Sequence, residues 1–174
     1  MKRVLAFIVA LLSSIAMPAT AALDVGERAP DFRAAAALAG KPFTFSLAES
    51  LARGPVVLYF FPAAFTEGCT IEAHEFAEAT PKIEALGASV IGVSTDDIET
   101  LTRFSVQACQ GKFPVASDAG RSIVKAYDAA MMTRPDYANR VSYVIAPNGS
   151  VLYSYTSLNP SKQDRKSTRL NSSH

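Results

Sequence analysis

The chain has 174 residues, 49% of them hydrophobic, which is enough for one domain with a real core. Its 17 basic and 16 acidic residues leave a formal charge of +1, so charge gives no reason to expect nucleic acid as a partner. No Gly/Ser linker, internal repeat or long charge run divides it.

The first residues differ in kind from the rest. Met1-Lys2-Arg3 is a positive start, Val4 to Met17 is apolar apart from Ser13 and Ser14, and Ala19-Thr20-Ala21 offers the small residues a signal peptidase reads. Residues 1–21 are therefore expected to be a secretory signal peptide, and residues 22–163 the folded domain. The rival is a membrane anchor, but the apolar stretch falls short of the roughly 20 residues of a span and ends at Pro18. No cysteine follows the leader to carry a lipid, so no stable membrane anchor is expected. The expected location is outside the cytoplasm, in a bacterial periplasm, where both cysteines meet an oxidising environment.

Leu23 to Lys41, interrupted by Pro30, reads as an irregular entry segment. Pro42 to Leu47 alternates as a short strand. Pro55 to Phe61 (PVVLYFF) is a continuous apolar, β-branched and aromatic run, suited to a central strand buried on both faces. Glu67 to Leu86 places Ala73, Phe76, Ala79, Ile83 and Leu86 at helical spacing, with Pro81 expected to kink or restart the helix. Ala88 to Ser94 reads as the next buried strand, and Asp96 or Asp97 can cap a helix running to about Ala108. Phe113 to Ser117 is a strand candidate and Ser122 to Asp128 a short helix. Val141 to Ala146 and Ser150 to Tyr155 flank Asn148-Gly149, a hairpin signal. Alternating strands and helices that end in a hairpin predict an α/β fold of thioredoxin-like type, a central mixed β-sheet flanked by helices. Residues 164–174 (DRKSTRLNSSH) carry no apolar stripe and read as a disordered or non-native tail.

Cys69 falls near the first turn of the helix read over Glu67 to Leu86, just after a buried strand ends at Pro62. Backbone amides at a helix start have no intrahelical acceptor, and the helix dipole adds roughly half a positive charge there. Both favour a thiolate over a thiol whose ordinary pKa is about 8.5. The Thr66 hydroxyl lies one turn from the sulfur and can also cap the helix. A thiolate nucleophile further requires donors for the charge that develops on the group it displaces. The amides near Glu67, Gly68 and Cys69 would serve, with Gly68 allowing close approach to the backbone. Such a cysteine is otherwise simply a small buried residue.

Pro62-Ala-Ala-Phe-Thr66-Glu-Gly-Cys69 resembles the peroxiredoxin signature of Pro, three residues, Thr or Ser, two residues and Cys. VGERAPDF (25–32), GASVIGVSTDD (87–97), KFPVASDAG (112–120) and NRVSYVIAPNG (139–149) resemble further segments of that family, in the same order. The likeness covers about Asp24 to Tyr155 and is nearest to the bacterioferritin-comigratory, or Q-type, subfamily of these alkyl hydroperoxide reductase/thiol-specific antioxidant proteins. It implies a thiol-dependent peroxidase acting on hydrogen peroxide and organic hydroperoxides. Cys69 would attack and become a sulfenic acid. Thr66 and Arg140 would hydrogen-bond peroxide and sulfur, Pro62 would shield the thiolate, and Glu72 would orient Arg140. Without the motif, Arg140 reads as a solvated charge before a strand. No cofactor or metal is implied. The partners would be the peroxide and a thioredoxin-like or other thiol reductant, and the assembly a monomer or weak dimer.

Many Q-type relatives carry a second cysteine five residues after the first, where this chain has His74, which reads as an exposed helical histidine. The resemblance points instead to Cys109 as the resolving thiol, through a Cys69–Cys109 disulfide that forms with local unwinding. Two alternatives stay open: a permanent structural disulfide, or Cys109 as a bystander with an external thiol resolving Cys69. Two rival functions also stand. An exported thiol–disulfide oxidoreductase would need C-x-x-C, where this chain has Thr66 in place of the first cysteine. A non-catalytic thioredoxin-fold binding module linked to a metal would have only two cysteines, His74 and His174 to draw on.

Overall fold

The computed structural model describes residues 22–156. The leader reading over 1–21 and the tail reading over 164–174, with His174, lie outside the described residues. Among the described residues no helix is long and apolar enough to cross a membrane.

A seven-stranded sheet runs in the order β2-β1-β5-β4-β3-β8-β9. Its centre is β3 (Val56–Phe60), β4 (Ser89–Ser94) and β5 (Val115–Ser117), paired in parallel. The antiparallel pair β8 (Val141–Ile145) and β9 (Val151–Thr156) flanks β3, and β1 (Arg33–Leu38) with β2 (Lys41–Ser46) flanks β5. This is the thioredoxin-like mixed sheet, and the apolar runs fall where such a sheet needs them. Every residue of β3 is buried, because helices cover both faces. Val56, Leu58 and Phe60 point into one core with α1 (Leu47–Leu51) and α4 (Ser122–Ala126). Val57, Tyr59 and Phe61 point into the other, with α2 (Glu67–Ala85) and α3 (Ile98–Gln107).

Three elements depart from the expectation. The entry segment contains β1, an alanine-rich strand that gains its order from pairing on both edges, Ala36 with Phe43 of β2 and with Ala116 of β5. Helix α1 follows β2 directly, with the Ser46 hydroxyl accepting the Glu49 amide as its cap. A small hairpin of β6 (Ala130–Met131) and β7 (Arg134–Ala138) fills the stretch before Arg140. Pro81 does not restart α2, which runs through it as one element. One residue earlier the Thr80 hydroxyl donates to the Phe76 carbonyl at 2.7 Å. The Asn148-Gly149 turn is as expected: the Gly149 amide donates to the Ala146 carbonyl, and Gly149 takes φ 86°.

Tyr59 organises the core beside the site. Its ring stacks on Phe76 at 4.1 Å between centroids and on Phe61 at 5.5 Å, and meets Phe113 edge-on. Its neighbour across the sheet is Gly92, where a Cβ would stand 2.8 Å from the ring, so only glycine leaves room. The phenol oxygen is buried without a hydrogen-bond partner. Removing a buried, unpaired polar atom relieves its desolvation, so Tyr59→Phe is expected to stabilise the fold by about 1 kcal/mol. A higher urea midpoint at unchanged slope would show it; a lower midpoint would mean that the hydroxyl is satisfied in solution.

Candidate active site

The site forms where β3 hands over to α2. After Phe60 the chain turns through Pro62 and Phe65 and enters the helix at Thr66, the N-cap residue. The Thr70 amide donates to the Thr66 carbonyl and closes the first turn. The amides of Glu67, Gly68 and Cys69 precede that bond and have no intrahelical acceptor. Cys69 lies in this turn, 1% exposed, against Tyr59, Phe61 and Phe76.

Arg140 reaches the sulfur from across the sheet. β8 pairs antiparallel with β3 in a register that sets Val141 opposite Phe60. The residue before Val141 therefore stands beside the end of β3, where the Cys69 loop begins. Arg140 is buried, and its Nη2 donates to Cys69 Sγ at 3.2 Å. Its Nη1 donates to Glu72 Oε2 in a buried hydrogen bond. One planar guanidinium thus binds sulfur with one arm and carboxyl with the other, a fork that lysine cannot reproduce. Glu72 lies three residues after Cys69, so both project from one side of α2.

Burial pushes the Glu72 carboxyl up to about 8, against the opposing pull of Arg140. Its Oε1 is buried without a hydrogen-bond partner. A carboxyl held above its ordinary value of about 4.3 keeps its proton in the folded chain where the unfolded chain has released it. Its contribution to stability is therefore complete below about pH 4 and is lost as pH rises through about 8. Glu72→Gln, which cannot ionise, should flatten the fall in melting temperature between pH 5 and 9. An unchanged slope in thermal melts would mean that Glu72 is ionised throughout.

Of the other residues singled out from sequence, Pro62 is half-buried in the loop and Gly68 half-buried in the first turn. Thr66 behaves differently from the expectation. Its hydroxyl neither caps the helix nor bonds the sulfur, but donates to the Ala63 carbonyl at 3.0 Å. With its proton committed there, its oxygen is left as an acceptor. His74 is exposed on α2, as its spacing suggested. Among the described residues, no three His, Cys, Asp or Glu side chains gather as a metal site.

Cys109 follows α3 and is fully buried. Both thiols are free, and both belong to the same apolar cluster, with Tyr59 between them in the electrostatic sense. Burial holds the Tyr59 phenol well above its ordinary value, against a smaller opposing pull from Arg140. Burial also pushes the Cys109 thiol far up, so in place it is a neutral, weak nucleophile.

Two residues at the site escaped the sequence reading. Phe65 has φ 62°, is 44% exposed and sets its ring edge-on to Phe104. Asp96 is turned toward the loop, because Asp97 takes the cap of α3 by accepting the Thr100 amide at 2.7 Å. Two adjacent aspartates gave no signal as to which would do which.

The AhpC/TSA family profile matches residues 25–154. The chain belongs to the AhpC/TSA family. YkuU of Bacillus subtilis (strain 168), named as a peroxiredoxin, is 34% identical over 137 residues, covering 74% of this chain and 76% of that protein. The chloroplastic peroxiredoxin Q of Oryza sativa subsp. japonica is 36% identical over 101 residues, covering 58% of this chain and 46% of that protein. The match thus spans under half the length of that chloroplastic relative. Among solved structures, the peroxidoxin BcpB of Mycobacterium tuberculosis superposes with a TM-score of 0.75 at 26% identity, over 86% of this chain and 97% of that one. The names of these relatives agree with the Q-type, or Bcp, branch of the AhpC/TSA family that the signature around Cys69 resembles.

Proposed function

We propose that this AhpC/TSA-family chain is a thiol-dependent peroxidase that reduces hydrogen peroxide and organic hydroperoxides with Cys69 as its nucleophile. The observation that carries this reading is the 3.2 Å bond from Arg140 to Cys69 Sγ, at the start of a helix whose first amides are free. The cation and the free amides favour the thiolate. The thiolate attacks the terminal peroxide oxygen, so an S–O bond forms as the O–O bond breaks. Sulfur is oxidised to the sulfenic acid, and the leaving oxygen departs as hydroxide or alkoxide and takes up a proton. Arg140 and the amides near Gly68 stabilise that negative charge. Thr66, with its own proton on Ala63, accepts from the peroxide O–H. Pro62 limits access of water to the thiolate.

Recycling follows through Cys109. Its thiol condenses with the Cys69 sulfenic acid to give a disulfide and water. A thioredoxin-like or other dithiol reductant then reduces the bond by exchange. Cys109 is held in place by its amide on the Phe104 carbonyl at 3.1 Å and by Lys112 on its own carbonyl at 2.9 Å. The end of α3, the start of α2 or both must unwind before the sulfurs meet, and unwinding also frees the Cys109 thiol from the burial that suppresses it. The leader-like sequence of residues 1–21 supports export to the periplasm. A thiol–disulfide oxidoreductase is not favoured, since Thr66 stands where the first cysteine of its C-x-x-C would be.

Peroxide consumption driven by a thioredoxin-type dithiol, followed by a non-reducing peptide map of the oxidised chain, tests both halves. Turnover with a Cys69–Cys109 linked peptide is expected. Turnover without that peptide would remove Cys109 from the cycle. No consumption at all would end the peroxidase reading.

A further inference from the structure

Asp96 sits in the turn after β4, and the peroxide chemistry above does not use it. Its Oδ2 accepts two hydrogen bonds, from the Ala64 backbone amide at 2.7 Å and from the buried Ser94 hydroxyl at 2.8 Å. Its carbonyl accepts the Ser117 hydroxyl at 2.6 Å, which ties the turn to the end of β5. The adjacent Thr95 hydroxyl donates to the Asp136 carbonyl of β7 at 3.0 Å, and the Asp136 carboxylate pairs with Arg121. One turn therefore reaches both halves of the site. Ala64 lies just before Thr66, and β7 leads through Asn139 to Arg140.

The loop held by Asp96 is strained. Phe65 takes φ 62°, a left-handed backbone that a bulky residue keeps only when its surroundings over-determine it. Two contacts do so here. One is the Ala64 amide on Asp96, and the other is the Phe65 ring edge-on to Phe104 at 5.3 Å. If Ala64 is released, Phe65 relaxes toward negative φ, and the adjoining Thr66 moves with it. Asp97 already caps α3, so helix capping does not account for Asp96.

The geometry points to Asp96 as a positioning residue. Its carboxylate, aimed by Ser94, holds the loop from Pro62 to Thr66 in the strained form that presents Thr66 to the peroxide. The inference rests on Cys69 being the attacking thiolate. It requires an acceptor at this place rather than a charge, because both partners of Oδ2 are donors.

The test compares two reactions of Cys69 in the full reduced chain. One is oxidation by hydrogen peroxide, which needs Thr66 held in place to receive the peroxide; the other is alkylation by iodoacetamide, which needs only the thiolate. Misplacement by about 1 Å costs up to about a hundredfold, so Asp96→Ala should slow oxidation by about tenfold or more and leave alkylation within about threefold. Asp96→Asn should restore oxidation to within about threefold of the unmodified chain, since its carbonyl oxygen accepts as well. Ser94→Ala keeps the carboxylate but removes the hydroxyl that aims it. It should give the same selective loss in milder form, and it carries the test if Asp96→Ala does not fold. Unchanged oxidation, equal losses in both reactions, or an Asn variant as slow as the Ala variant would overturn the role. A Cys69 that ignores peroxide in the unmodified chain would instead defeat the peroxidase reading beneath it.

Discussion

Cys69→Ser is expected to reduce peroxide consumption to background while leaving the fold intact. Serine keeps the shape of cysteine with a somewhat smaller atom, so the apolar cluster that includes Tyr59, Phe61 and Phe76 survives. The chemistry does not. A hydroxyl is scarcely ionised near neutral pH, and neither Arg140 nor the helix start can make it a nucleophile comparable to a thiolate. Cys109 cannot substitute, because burial keeps its thiol protonated and it has no guanidinium beside it. The assay is peroxide loss under a dithiol reductant, with circular dichroism to show that the variant is folded. Substantial residual turnover by the serine variant would place the reaction elsewhere.

The second large effect is expected at Arg140. In Arg140→Lys a single ammonium replaces a planar fork, so it can serve Cys69 Sγ or Glu72 Oε2 but not both in the present geometry. Loss of one preorganised donor to developing charge typically costs about 10²- to 10³-fold, and the rate of Cys69 oxidation should fall by that order. Arg140→Met should match it in rate and add a structural penalty, since Glu72 is then left buried with neither oxygen paired. That penalty should be about 1–3 kcal/mol, read as a lower denaturation midpoint. A lysine variant with nearly full activity would show that charge alone suffices and that the fork is incidental.

Much of this was legible in the sequence because burial on both faces writes itself as continuous apolar runs. β3 and β4 are of that kind, α2 shows its apolar residues at helical spacing, and the Asn148-Gly149 hairpin is explicit in its turn chemistry. What failed was segments whose order comes from their neighbours. Arg33–Leu38 is almost all alanine, which carries little strand preference of its own, and only the antiparallel partners on both sides make it β1. Arg134–Ala138 contains Pro135 and mostly exposed residues, so it shows no strand period. Pro81 looked like an interruption, yet its helix continues.

The site divides in the same way. Cys69 and Thr66 share one local motif and could be named together. Arg140 was tied to them only by resemblance, because a contact between residues 71 apart depends on the β3–β8 register, which no spacing reveals. The direction of the Thr66 hydroxyl, toward Ala63, depends on the backbone of the preceding turn. Asp96 and Asp97 were equal candidates for one cap, and only the packing of the loop against β4 separates them.

The most direct measurement is the location of the first oxidised sulfur. The reduced Cys109→Ser variant, treated with one equivalent of hydrogen peroxide in the presence of dimedone and then digested, should yield a mass-shifted peptide containing Cys69. The Arg140→Lys form of the same variant should label far more slowly. An unlabelled Cys69 in the first case, or equal labelling in the second, would contradict the account of Cys69 as a thiolate prepared by Arg140 for attack on peroxide.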